Sequence, residues 1–371
     1  MPQEKIAYPQ SERSRTLQQV PFVASSIISR DLPRDTVLKA LTFRMSGSVV
    51  TTFASGTPAA DTFSTFDALC PRIDVIVNGS RTVKSVRPHM LKMQQLFSTS
   101  ILADRRSSTG AAASVFPTTD GGFVYGTTGQ ISSVVEAIVL SFEMVYADPG
   151  LGRESTWLNL KGVSSAEVRI TTNAFSALLG FGNTAPVVFS SNLIVIDIVT
   201  KEAQDVPPTI AFSDWKQTVR SITYSAQQSG AVIDINRGNS LTGIMFMCQD
   251  GAAGSATTAT GKLLNNTALT NIQLLLNGQS SIKKVPGIAY LQAQNRAEYG
   301  VSAPMASGVS ILDGVAHLNL LARKDLSTAL PVRPPQVDNV QLVVDTDNST
   351  NVSYTNPITV TIMTEELVEP R

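Results

Sequence analysis

The sequence predicts an all-β chain built as two tandem β-barrels with a few short helices. Three observations predict it. Apolar and polar residues alternate at a period of two, helical spacing is confined to short stretches, and the strand-like segments of the first half recur, in order, in the second.

The alternation is clearest in four places. Ile73, Val75 and Val77 are interleaved with Asp74 and Ile76, and Val168 and Ile170 with Glu167, Arg169 and Thr171. Leu193 to Val199 is a run rich in β-branched residues, and Ile358, Val360 and Ile362 alternate with threonines. A period of two puts one set of side chains on a buried face, and Val, Ile and Thr suit a pleated surface. Polar loops rich in Gly, Ala, Ser and Thr separate the strands at Ala54 to Thr62, Asp104 to Gln130 and Asp250 to Gly261. Loops of this length tend to carry contacts. Helices are expected over Arg87 to Phe97, over Ala174 to Leu179 before Gly180, and over Ile288 to Tyr299. On the first, Met90, Met93, Leu96 and Phe97 form an apolar stripe that reads as core packing.

The repeats set the domain organisation. Val37-Leu-Lys-Ala-Leu-Thr-Phe43 matches Ser240-Leu-Thr-Gly-Ile-Met-Phe246 at an offset of 203, and Arg34 matches Arg237 at the same offset. Ile73 to Val86 matches Ile272 to Val285 at an offset of 199, with Asn78-Gly79 falling on Asn277-Gly278. Asn-Gly favours a tight turn, because both residues tolerate positive φ, so each copy reads as strand, turn, strand and then helix. Ile194 to Glu202 matches Ile358 to Glu366 at an offset of 164. Much of the shrinkage in offset falls where the first half carries its loop from Asp104 to Gln130. The division is an N-terminal arm over residues 1–15, a first barrel over 16–205 and a second over 206–371. The polar, proline-containing stretch Ala203-Gln-Asp-Val-Pro-Pro208 serves as the linker.

Composition narrows the function. The chain has 371 residues, 43% of them hydrophobic and 16% charged, enough for two cored domains. Lys plus Arg equals Asp plus Glu at 29 each, which disfavours specific nucleic-acid binding. Cys70 and Cys248 are far apart and suggest no disulfide framework, in keeping with assembly in a reducing compartment. Met1 to Gln10 lacks the apolar core of a signal peptide, and no membrane-spanning run is present. The Asn-x-Ser/Thr sites at Asn78, Asn265, Asn348 and Asn351 therefore read as turn and loop residues.

Catalytic chemistry finds little footing. His89 and His317 are the two histidines and read as structural or surface residues, and there is no Cys-x-x-Cys. Gly180 and Gly182, and Gly121, Gly122, Gly126 and Gly129, fit no phosphate-binding motif. No catalytic, cofactor-binding or metal-ligating residue is assigned and no cofactor is expected. A tandem-barrel glycoside hydrolase is the alternative from another class. It would need facing carboxylates and aromatic platforms, yet aromatics make up only 6%, with Trp157 and Trp215 the two tryptophans. A carbohydrate-binding virion accessory protein is a third reading.

Taken in order, the Arg30-Asp-Leu-Pro-Arg-Asp35 turn, the duplicated Asn-Gly hairpin with its following helix, and the short helix before the last strand resemble the double jelly-roll major capsid proteins. This is the lineage of adenovirus hexon and the tailless, membrane-containing icosahedral bacteriophages. The resemblance implies two eight-stranded jelly rolls per chain. It also implies a homotrimer whose six barrels approximate a hexagon and tile an icosahedral shell. The expected partners are further copies of the chain, other virion proteins and, peripherally, an internal virion membrane. The expected place is the virion capsid, assembled in the host cytoplasm. The loop from Asp104 to Gln130 is expected at a barrel end, and the arm over 1–15 is expected outside the barrel, in contact with neighbouring protein.

Overall fold

The computed structural model describes residues 12–53, 64–99, 131–148, 153–178, 187–204, 206, 210–250, 263–300, 314–347 and 357–368. The expected loops over 54–62 and 104–130, and that over 250–261 beyond Asp250, lie outside them.

The first half supplies β1 (Glu12–Thr16), β2 (Val20–Pro21), β3 (Ile27–Asp31), β4 (Val37–Phe53), β5 (Arg72–Val77), β6 (Arg81–Val86), β7 (Ile131–Ser141), β8 (Leu158–Asn159), β9 (Ala166–Thr171) and β10 (Val187–Ala203). Helix α1 (Thr65–Leu69) precedes β5, and α2 (Pro88–Thr99) follows β6. The second half supplies β11 (Asp214–Tyr224), β12 (Ala231–Asp234), β13 (Ser240–Asp250), β14 (Leu263–Leu264), β15 (Leu269–Leu276), β16 (Ser280–Val285), β17 (Val315–Asn319), β18 (Leu330–Pro331), β19 (Val340–Thr346) and β20 (Ile358–Val368). Helix α3 (Gly287–Tyr299) follows β16, as α2 follows β6.

Each half is a sandwich of two four-stranded sheets. In the first, β1 and β2 share one edge of a sheet that continues through β10 and β4 to β7, and the facing sheet runs β3, β9, β5, β6. In the second, the order is β11, β20, β13, β17 against β12, β19, β15, β16. Counting β1 and β2 as one strand and setting aside the two-residue strands β8, β14 and β18, both halves have the order 1-8-3-6 against 2-7-4-5, which is the wiring of a jelly roll.

The matched segments occupy equivalent strands, down to their irregularities. A bulge in the β5–β6 ladder skips Val83, and one in the β15–β16 ladder skips Ile282, 199 residues later. A bulge between β10 and β4 skips Lys39, and one between β20 and β13 skips Thr242, 203 residues later. Asn78 and Gly79 have φ of 55° and 73°, and Asn277 and Gly278 have 53° and 67°, as a tight turn of this kind requires.

Three features differ from the sequence reading. First, residues 12–15, expected in the arm, form β1 on the edge beside β10. Its side chains are largely exposed, so backbone pairing and ion pairs hold it, with Arg15 on Glu202 and Lys39 and Lys201 on Glu12. Such a strand carries no apolar period to read. Second, β4 and β10 run for 17 residues each, well beyond the matched segments Val37 to Phe43 and Ile194 to Glu202. Third, the helix expected over 174–179 is a single 3-10 turn, Phe175–Leu178.

Each barrel has an apolar interior. In the second it is built from residues such as Phe246, Ile272, Leu274, Leu342 and Ile362. The first core, around Phe43, Ile73, Val75, Ile138 and Ile196, does not stop at its own barrel. It continues through α2 to Trp215, Met245, Met247 and Met363 on the outer face of the second barrel. β20 is therefore buried on both faces, although its alternation predicts one. Its outward threonines are covered, and Thr361 and Thr359 pair with Ser221 and Thr223 of β11 at 2.9 and 3.4 Å.

Candidate functional site at the junction between the barrels

β6 of the first barrel runs parallel to β11 of the second, pairing Lys84 with Gln217 and Ser85 with Thr218. This short ladder joins one sheet of each barrel into a single ten-stranded sheet. Beside it, α2 is clasped between the barrels.

A chain of polar groups fills the junction. Lys84 Nζ donates to Gln217 Oε1 at 2.8 Å, and its ammonium lies 3.8 Å from the centre of the Trp215 ring. Gln217 Nε2 and Gln94 Nε2, the latter from α2, both donate to Glu365 Oε1 at 3.1 Å. The other carboxylate oxygen of Glu365 lies 3.2 Å from His317 Nε2, and His317 Nδ1 is 2.6 Å from the Tyr299 hydroxyl. Tyr146 stacks on His317 with ring centroids 4.2 Å apart. Burial holds the Lys84 ammonium well below the usual lysine pKa, against the pull of Glu365 and Asp214. Gly243 makes the contact possible, since a Cβ there would stand 2.3 Å from His317 Nε2. A buried network of this kind is costly to rearrange and favours one relative placement of the two barrels.

A second polar cluster anchors the helices of the first barrel. Asp67 takes Arg87 through both its oxygens at 2.8 to 3.0 Å and accepts from the backbone N–H of His89. Arg87 also reaches across to Gln249 Oε1 at 3.1 Å. Glu136 pairs with Lys92 and accepts from Ser64 Oγ and the Phe66 N–H at 2.7 and 2.6 Å. Burial still pushes its carboxyl above the usual range.

Beside the junction lies a cleft of about 860 Å³, lined by residues of both barrels that include Arg72, Arg81, Asn159, Lys216 and Asn239. Asp214 is its one carboxylate among the lining residues, and it is held by Arg81 at 2.8 Å. Two facing carboxyls, the requirement for glycoside hydrolysis, are not found in that lining. Both tryptophans are buried, Trp157 with Nε1 on Glu143 and Trp215 against Lys84, so neither offers a platform for a sugar.

No protein-family model matches the sequence, and no curated protein matches it. Solved structures do. The crystal structure of the STIV (Sulfolobus Turreted Icosahedral Virus) major capsid protein aligns with a TM-score of 0.60 at 17% identity, over 96% of this chain and 97% of that one. The major capsid protein P2 of bacteriophage PM2 aligns with a TM-score of 0.53 at 10% identity, over 97% and 99% of the two chains. The PBCV-1 virus capsid aligns with a TM-score of 0.57 at 10% identity, over 96% and 94%. The chain is a double jelly roll.

The double jelly roll brings together few of the residues the sequence singles out. His317 joins the junction. His89 lies at the start of α2, where burial lowers its pKa to about 4. Cys70 and Cys248 are buried free thiols, both raised by burial. Among the described residues no group of three His, Cys, Asp or Glu side chains could hold a metal ion. No helix among them is long and apolar enough to cross a membrane. The residues that sequence reasoning missed are Lys84, Gln94, Gln217 and Glu365. Period-two reasoning leaves a Lys or Glu in a strand facing solvent. Only the docking of the other barrel buries these.

Proposed function

We propose that the chain is the major capsid protein of an icosahedral virus and builds its shell as pseudo-hexagonal homotrimers. One observation carries the reading. Two barrels of the same wiring are locked side by side through a buried junction, in a fold shared over nearly the full chain with capsid proteins. Three such pairs supply six similar barrels, the count a hexagonal tile needs, and closed rings are the common form of homo-oligomers. The chain acts through surface complementarity and not as an enzyme. It resides in the virion capsid after assembly in the host cytoplasm. Its partners are copies of itself, with the N-terminal arm against neighbouring protein, then other virion proteins, with peripheral contact to an internal membrane.

The test is sedimentation of the purified protein together with low-resolution imaging. Trimers seen as six-lobed discs are expected. A stable monomer at micromolar concentration overturns the reading. Copy number per particle separates a shell protein, present in hundreds, from a carbohydrate-binding accessory protein present at a few sites.

A further inference from the structure

Lys84, Gln217 and Glu365 stand in one row across three adjacent strands. Lys84 on β6 is the ladder partner of Gln217 on β11, and Gln217 is the ladder partner of Glu365 on β20. Partners in register put their side chains on the same face of a sheet. An amine, a carboxamide and a carboxylate therefore follow one another. Lys84 Nζ is 2.8 Å from Gln217 Oε1, and Gln217 Nε2 is 3.1 Å from Glu365 Oε1. All three residues are 0% exposed. The row exists only because the second barrel is docked. Lys283, the counterpart of Lys84 at the repeat offset of 199, is exposed on β16.

Each member of the row meets a requirement for amide exchange. An amine attacks a carbonyl only in its neutral form, and burial holds Lys84 well below the usual lysine pKa. Its Nζ is walled by the rings of Trp215, at 3.8 Å, and Phe142, at 5.8 Å. Gln217 Cδ is bonded to the oxygen that Nζ touches. With a C=O bond of about 1.23 Å, it lies about 3–4 Å from Nζ, close to the separation of about 3–3.5 Å in a near-attack pair. Glu365 sits against Nε2, the nitrogen that would leave. Gln94 holds the same carboxylate oxygen at 3.1 Å, and His317 Nε2 lies 3.2 Å from the other. Water is kept out, so hydrolysis does not compete.

We propose that Lys84 and Gln217 join in an isopeptide bond that the folded chain forms by itself, with Glu365 as the catalytic residue that moves the proton. Nζ attacks Cδ, and the carbonyl electron pair moves onto Oε1. Glu365 takes a proton from Nζ and returns it to Nε2. The pair on Oε1 re-forms the carbonyl as the Cδ–Nε2 bond breaks, and Nε2 leaves as ammonia. A primary amide and an amine become a secondary amide and ammonia, with no change of oxidation state and no co-reactant. The bond ties the first barrel to the second through the row that already pairs them, and it stands independently of the capsid reading.

The test is the intact mass of the full chain in denaturant, followed by a tryptic map. The wild type is expected to be lighter than its sequence by one ammonia. The map is expected to show Thr82–Lys92 joined to Gln217–Arg220, since trypsin does not cut at Arg87 before Pro88. Proton transfer by a placed carboxylate contributes about 100- to 10,000-fold. Glu365→Gln keeps an acceptor for both amides but cannot carry the proton, so it is expected to be folded by far-UV circular dichroism and to keep its full sequence mass. Lys84→Met is expected to do the same. Should Glu365→Gln fail to fold, Glu365→Asp takes its place, with the charge set back by one methylene and the linked fraction expected to fall. A wild type of full sequence mass overturns the bond. So does an ammonia loss that maps to a succinimide at Asn78 or Asn277 in place of the joined peptide. Wild-type levels of the joined peptide in the folded Glu365 variant overturn the role of Glu365.

Discussion

Asn78 and Asn277, one in each barrel, do the same work. The side-chain oxygen of Asn78 accepts the N–H of Ser164 at 2.9 Å, and that of Asn277 accepts the N–H of Asp338 at 2.7 Å. Their own N–H groups donate to Ser165 and Asn339. Arg34 and Arg237 reach carbonyls of the same two connections, at Ser164 and Asp338. Each barrel thus has one end where three connections are tied together by an arginine and an asparagine.

Replacing either asparagine by alanine removes a side-chain acceptor and places a Cβ-bearing residue at positive φ. A loss of about 1–2 kcal/mol is expected from denaturant melts. Asn78→Gly keeps the φ and loses only the bond, so it is expected to cost less than Asn78→Ala. Equal losses for the two would show that backbone strain plays no part.

Glu365→Ala leaves two amides and an imidazole at the junction without their acceptor, and a loss of about 3–5 kcal/mol is expected. Gly243→Ala forces His317 away from Glu365 without removing any polar group. Its expected cost is about 1–3 kcal/mol, as for overpacking. A neutral result for both would mean that the network does not fix the barrels.

Because the first core runs into the second barrel, the two barrels are expected to unfold in one calorimetric transition. Trp215→Ala, at about 3–5 kcal/mol, is expected to split it into two. Two transitions in the wild type would show that the barrels are independent.

His89 gives the acid response its sign. Burial, opposed by Asp67, lowers its pKa from 6.5 to about 4, so below pH 6.5 the unfolded chain takes up a proton that the folded chain refuses. Stability therefore falls as pH drops through that window, by about 2 kcal/mol at pH 5 from this group. Urea midpoints at pH 7 and pH 5 should differ less in His89→Gln than in the wild type. An unchanged difference would remove His89 from the account.

Much of the fold is legible because its determinants are local. The Asn-Gly turns, the strand alternation and the two long helices depend on neighbours within a few residues, and duplication repeats each signal. What escapes the sequence depends on the other barrel. Lys84 and Glu365 look like solvent-facing charges until the docked barrel covers them, and the threonines of β20 look like an outer surface until α2 and β11 are in place. β1 escapes for the opposite reason, being held by backbone pairing and ion pairs with almost no apolar burial of its own.

The parallel pairing of Lys84 with Gln217 has a mechanical consequence. A sheet that passes from one barrel into the next, with a charged network sealed beside it, has no hinge. Bending the two barrels apart would break backbone hydrogen bonds, the polar pairs of the junction and the shared apolar packing together. Each chain is then a stiff tile, and any closed surface laid from such tiles has to take all of its curvature at the seams between chains.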